Sequence, residues 1–237
     1  MYALKNGDER MSIFNLGNTD KTQMLITIAA RVFILLCVMP IHEYAHALIA
    51  DKMGDKTARL SGRLTLSPFA HLNLFGSIMI LLCGIGYANP VPVNPNNFKN
   101  SKKGMALTAL AGPVSNLIMS FVFLLIFNAF LSFGISLYNK NELFFMIITR
   151  FFYFAASINV SLAVFNLLPI PPLDGSRIFW AILPDKYYFK VMQYERTIMM
   201  VLFVLLFLGV LSIPISFLSN WIMTALSFLA KLPFNLF

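Results

Sequence analysis

Five consecutive residues carry the densest chemistry in this 237-residue chain: His42-Glu43-Tyr44-Ala45-His46. On a helix, residues four apart share a face, so His42 and His46 can offer two imidazoles to one metal ion. Glu43 stands beside them and can serve as a general base toward a metal-activated water. The competing reading is a pair of core histidines satisfied by hydrogen bonds. A carboxylate between them in an apolar helix weighs against it, because carboxylates are almost never buried without a partner. The pentad lies between VFILLCVMP and ALIA, where an unpaired charge is costly. Hydrolysis at a metal centre buried in lipid is the chemistry these residues suggest.

Two histidines do not complete such a centre. Catalytic zinc has three protein ligands and one open position for water. His71 is the only other histidine, and Asp174 is the only carboxylate besides Glu43 in an apolar context. Asp174 follows Pro169-Ile170-Pro171-Pro172-Leu173, a break that could place its side chain at membrane depth on non-helical backbone. Asp-Gly is also ordinary turn chemistry, and His71 could be an interfacial loop residue, so both candidates stay open on the residues alone. Asn116 and Asn166 are amides in apolar segments. Each could stabilise an oxyanion or hold a substrate strand, and each could equally bond between helices.

The elements that must position these groups follow from composition. The chain is 58% hydrophobic and 12% charged, which separates it from soluble domains and indicates an all-α polytopic membrane protein. Stretches near the length of a span, about 20 residues, are Met24–Ala50, Gly104–Tyr138, Leu143–Leu168, Ile198–Leu211 and Ile213–Leu232, about five helices in all. Arg31 must snorkel or pair, and Pro40 should kink the first span just before the pentad. Leu72–Tyr87 is apolar but short and reads as a re-entrant or short hairpin segment. Asn89–Asn97, with Pro90, Pro92 and Pro95, reads as a small extended region near the site that could offer an edge to an unwound strand. The chain divides into a polar tail (1–22), a core (23–178) and a C-terminal helical pair (179–237).

The net charge of +8 suggests nucleic acid, but topology accounts for it better, so no nucleic-acid partner is expected. With Leu72–Tyr87 re-entrant, three basic loops share one side. They carry Lys52, Lys56, Arg59 and Arg63; Lys99, Lys102 and Lys103; and Arg177, Lys186, Lys190 and Arg196. The positive-inside bias places that side, and the metal site near it, toward the cytoplasm. Cys37 and Cys83 lie in apolar segments and do not suggest a disulfide framework.

Three stretches carry a resemblance: IHEYAHALIADKMGDKTARLSGRLTLSPFAHLNLFGSI, NPVPVNPNNFKNSKKGMALTALAGPVSN and NVSLAVFNLLPIPPLDGSR. Together they cover most of residues 40–178. In them the chain resembles the site-2 protease family of intramembrane zinc metalloproteases, in its short bacterial branch without a PDZ domain. The resemblance implies one zinc ion per chain held by His42, His46 and Asp174, with Glu43 as general base. It also implies hydrolysis of a peptide bond in or near the transmembrane segment of a membrane-protein substrate, in regulated intramembrane proteolysis. The expected setting is a bacterial inner membrane. Short members of the family often read Asn-Pro where this chain has Ser67-Pro68, and Asp-Pro where it has Asn73-Leu74. The alternatives are a membrane metal-ion transporter and an inactive substrate-binding relative. One cluster and no internal repeat argue against the first, and an intact Glu43 argues against the second.

Overall fold

The computed structural model describes residues 21–83, 88–181 and 193–234. The polar tail before residue 21, residues 84–87 at the end of the Leu72–Tyr87 segment, and Lys186 and Lys190 lie outside the described residues. Among the described residues the regular structure is helical, with no strand. Four helical segments are long and apolar enough to cross a membrane: Met24–Met53, Ser101–Phe133, Glu142–Asn166 and Ser212–Phe234.

The first of these is assembled from α1 (Lys21–Phe33), a π-helical turn (Ile34–Val38) and α2 (Met39–Met53). The π turn sits where it is needed. Pro40 has no N–H to give to Leu36, and its ring would crowd that carbonyl in a regular helix. Widening the turn relieves the crowding and reorients the helix just ahead of the pentad. At the other end, Gly54 stops α2 in the left-handed region (φ 113°). The Gly54 N–H donates to Asp51 O and the Asp55 N–H to Ala50 O, at 3.2 and 3.0 Å, which satisfies carbonyls that the helix end would leave open.

Two single-turn helices, α3 (Thr57–Leu60) and α4 (Pro68–His71), follow, then α5 (Leu74–Cys83). Ser67-Pro68 starts α4 with proline in its first turn, where the missing N–H costs nothing. Asn73 caps α5 by accepting from the Gly76 N–H at 3.0 Å. Ten residues of α5 rise about 15 Å, half of a hydrocarbon core of about 30 Å. The two ends of the segment are tied together. The Asn89 N–H donates to His71 O (2.8 Å), Asn89 Nδ2 to Leu72 O (2.9 Å), and Asn73 Nδ2 to Asn89 Oδ1 (3.1 Å). A crossing segment would separate its ends by the core thickness, so the chain returns at 89 to the level it left at 72. Arg31 of α1 is buried and donates to the Leu81 carbonyl at 3.0 Å, pairing with the last turn of α5. A cation at a helix C-terminus meets both the open carbonyls and the negative end of the dipole.

Residues 88–94 form neither helix nor strand; Asn94 is extended (φ −106°, ψ 107°), and the prolines after Asn89 and Val91 bias those two the same way. They lead to α6 (Ser101–Phe133), which Asn100 caps by accepting from the Lys103 N–H at 3.0 Å. A short α7 (Ile135–Lys140) turns the chain into α8 (Glu142–Asn166). Ala155, Ala156 and Val160 of α8 are fully buried together with Phe123 and Leu124 of α6, Ile34 and Val38 of the π turn, and Met223 and Ala230 of the last helix. The alanines allow close helix approach, the usual packing device in lipid. Ser120 Oγ crosses this interface to donate to Ala156 O at 3.0 Å.

After a proline-rich turn, α9 (Asp174–Trp180) begins. The chain ends in α10 (Glu195–Phe207) and α11 (Ser212–Lys231), joined through Gly209 in the left-handed region (φ 72°). Pro214 falls in the first turn of α11, which it can occupy without losing a hydrogen bond. The expected span Ile198–Leu211 is therefore a 13-residue helix, about 20 Å long and shorter than a full crossing. Leu202 and Leu206 of α10 pack on Leu173 and cover the turn that carries Asp174.

Candidate metal centre

The helix α2 turns His42 and His46 to one side, and their Nε2 atoms stand 3.1 Å apart. Asp174, the first residue of α9, brings Oδ2 to 3.4 Å from His42 Nε2 and 3.3 Å from His46 Nε2. These three residues come from positions 42 to 174, and they form a group able to hold a metal ion. Their spacing can be tested against zinc. Bonds of about 2.0–2.1 Å in a tetrahedron place neighbouring ligand atoms roughly 3.3 Å apart. All three observed separations lie within a few tenths of that, and the two-nitrogen, one-oxygen donor set suits zinc.

Three local features produce the geometry. First, His46 Nδ1 lies 2.7 Å from the Thr108 carbonyl of α6. A carbonyl only accepts, so Nδ1 carries the proton and the Nε2 lone pair faces Asp174 and His42. Second, Gly112 of α6 abuts both rings. A Cβ there would overlap the His46 ring and come within 2.6 Å of His42 Cε1. Third, α9 starts tightly against the end of α8. A Cβ on Gly175 would overlap the carbonyls of Leu167 and Leu168. The Ser176 Oγ donates to Leu173 O at 2.7 Å and closes the first turn of α9. Asp174 is thus fixed by backbone packing on one side and by the Leu173–Leu202–Leu206 cluster on the other.

Glu43 is buried on the same helix, next to His42, and is not one of the three clustered groups. His71 is placed elsewhere. It is buried, with Nε2 2.8 Å from the Thr65 carbonyl, and is the last residue of α4. Asn116 is buried on α6, one turn beyond Gly112, and its Oδ1 has no hydrogen-bond partner. Asn166 closes α8 at the start of the turn leading to Asp174 and is half-buried. Among the described residues no hydrogen bond ties either amide to the metal cluster. A further amide, Asn159 of α8, is fully buried with its Oδ1 unpartnered and its Nδ2 on Ala155 O at 2.8 Å.

Another buried carboxylate lies close by in the chain. Asp55, immediately after the Gly54 stop, has no solvent exposure. Its Oδ1 accepts from Thr57 Oγ1 (2.5 Å), the Thr57 N–H (3.1 Å) and Asn97 Nδ2 (2.7 Å), and its Oδ2 accepts from the Asn94 N–H (2.7 Å). Burial alone would raise its pKa. The donors from Thr57, Asn97 and Asn94 outweigh burial and hold it below the ordinary carboxylate value.

The relatives of the chain agree with this chemistry. The profile of "Peptidase family M50" matches residues 130–209, a stretch that includes Asp174 but not the pentad. The chain is 40% identical over 176 residues to "Putative zinc metalloprotease YwhC" of Bacillus subtilis, covering 73% of this chain and 79% of that protein. It is 29% identical over 157 residues to "Putative zinc metalloprotease Rip2" of Mycolicibacterium smegmatis, covering 64% of this chain and 55% of that protein. It is 28% identical over 195 residues to "Zinc metalloprotease MJ0392" of Methanocaldococcus jannaschii, covering 79% and 46%. No solved structure matches. A 40% identity across most of YwhC, with the M50 profile falling on the Asp174 region, means that this chain belongs to peptidase family M50, the site-2 protease family.

Proposed function

We propose that the protein is an intramembrane zinc endopeptidase that cuts a peptide bond in or near a transmembrane segment of a membrane-protein substrate. The observation that carries this reading is the spacing of His42 Nε2, His46 Nε2 and Asp174 Oδ2, which matches three corners of a zinc tetrahedron. One zinc ion held there supplies Lewis acidity, lowering the pKa of water and polarising a carbonyl. Glu43 then takes the proton from the attacking water and passes it to the leaving amine. Thr108 keeps His46 in the tautomer the centre needs. Asn116 and Asn166 are assigned the oxyanion or the substrate strand.

A helical substrate hides its scissile carbonyl in its own hydrogen bonds, so it must unwind locally before attack. The extended stretch before α6 suits an unwound strand. In extended backbone, Val91 and Val93 turn their N–H and C=O groups to the same edge. Neither N–H has a hydrogen-bond partner among the described residues. Val91 is buried with Ala47, the residue after His46, so this edge runs beside the metal-bearing helix. The basic loops and the shared level of residues 72 and 89 support a site that opens toward the cytoplasm, in a bacterial inner membrane.

The test is cleavage of a synthetic single-span peptide in detergent. Glu43→Gln should lower kcat by about 10²–10⁴-fold while stoichiometric zinc is retained. Undiminished cleavage, or loss of zinc with the Gln variant, would remove Glu43 from the role of base.

A further inference from the structure

We propose that Asp55 is a positioning residue for substrate: its carboxylate holds the backbone of Val91–Asn94 open as the receiving edge. This rests on the edge reading above and adds the group that maintains it. Nothing in the zinc chemistry requires Asp55. It lies outside the metal cluster, yet it is completely buried in a loop region where Lys56 and Arg59 face solvent.

The stretch 89–98 is anchored at both ends and left free in the middle. At its start, Asn89 is held by His71 O, Leu72 O and the Asn73 amide. At its end, the Asn94 N–H and Asn97 Nδ2 both converge on Asp55, each at 2.7 Å. Phe98 is buried against α6, its ring lying where a Cβ on Gly104 would be. Gly54 also belongs to this clamp, since a Cβ there would come within 3.3 Å of the Asn97 carbonyl. Between the anchors, Pro90 and Pro92 have no N–H, and the N–H groups of Val91 and Val93 have no hydrogen-bond partner among the described residues. The segment, which its prolines bias toward extended backbone, therefore runs without a partner strand. Unpaired extended backbone gains nothing from a ladder, so something else must hold it straight. Asp55 does this from the end of α2, nine residues beyond His46, and so sets the register between the edge and the metal centre.

The residue type matters. Four donors meet at Asp55, and only an ionised carboxylate can accept from all of them. An asparagine at 55 that keeps its oxygen under the Thr57 and Asn97 donors turns its NH2 group toward the Asn94 N–H, so the contact that holds the strand is the one lost.

The experiment uses the zinc-loaded protein in detergent and a synthetic single-span peptide with Gly-Asn near one end of its span. Asp55→Asn should raise KM by about tenfold, the size expected for loss of one charge-assisted hydrogen bond. Its kcat and zinc content should stay unchanged. Unchanged KM in Asp55→Asn overturns the proposal. So does a fall in kcat with loss of zinc, because that is a general folding role. Val93→Pro tests the edge separately by removing one open N–H and leaving the Asp55 contacts intact. If Val93→Pro raises KM and Asp55→Asn does not, only the assignment of Asp55 fails. If Val93→Pro retains zinc and leaves KM unchanged, the receiving edge itself is wrong, and this proposal falls with it.

Discussion

Asp174 and Asp55 are both carboxylates placed just after a break in helical structure, and their surroundings give them opposite uses. Asp55 is saturated: two side chains and two backbone N–H groups fill its oxygens, leaving nothing for a cation. Asp174 faces two imidazole nitrogens at 3.3–3.4 Å, a spacing that suits a shared ion. A buried carboxylate becomes a metal ligand when its neighbours are lone pairs, and a structural brace when its neighbours are protons.

The contrast can be broken most forcefully at Asp174. Asp174→Ala should lose stoichiometric zinc and activity together, whereas Asp55→Ala should retain zinc by metal analysis. Equal zinc loss in both variants would erase the distinction. The next effect is steric. Gly112→Ala should displace the imidazoles, since the added methyl overlaps His46 and approaches His42. Over-packing of this kind costs about 1–3 kcal/mol, and here the strain falls on the ligands, so zinc affinity should drop more than thermal stability. A variant with full affinity would show that α6 yields without cost.

Asp55→Ala comes next, with an expected loss of about 1–3 kcal/mol from donors left without their acceptor, read by thermal unfolding in detergent. The smallest effect is the pH dependence of that contribution. The folded pKa of Asp55 is depressed, so its stabilisation is complete above the ordinary carboxylate value of about 3.9. It is lost as pH falls from there through the folded value. The acid limb of stability should therefore be steeper in the parent than in Asp55→Asn. Parallel limbs would mean that the carboxylate is not depressed.

Much of this arrangement could be read from residue types. Long apolar runs marked α2, α6, α8 and α11, and the pentad marked His42 and His46; the residues alone left Asp174 and His71 open, and the family resemblance chose Asp174, which the structure brings to the two histidines. The shortness of Leu72–Tyr87 anticipated a segment that returns. Other features escaped because their partners are backbone atoms, which every residue has. The Thr108 carbonyl that orients His46 and the Leu81 carbonyl that accepts Arg31 leave no mark on composition. Gly112 sat within Ala111-Gly112-Pro113, but which ring it admits depends on how α2 crosses α6. Asp55 in DKMGDKTARL looks like any acidic loop residue, because its donors arrive from positions 94 and 97. Asn159 went unnoticed beside Asn166, though only the structure separates a fully buried amide from one at a helix end.

The prolines at 90 and 92 have a consequence for the solution behaviour of the protein. An unpaired extended segment invites self-association, since each copy can template the next. Here one margin of the segment offers donors and acceptors at Val91 and Val93, while the opposite margin, at Pro90 and Pro92, has acceptors alone. A strand added to the first margin meets a complete ladder, and a strand added to the second cannot. Growth stops after one addition, so fibril-like stacking through this segment is blocked by covalent chemistry, without help from charge or concentration.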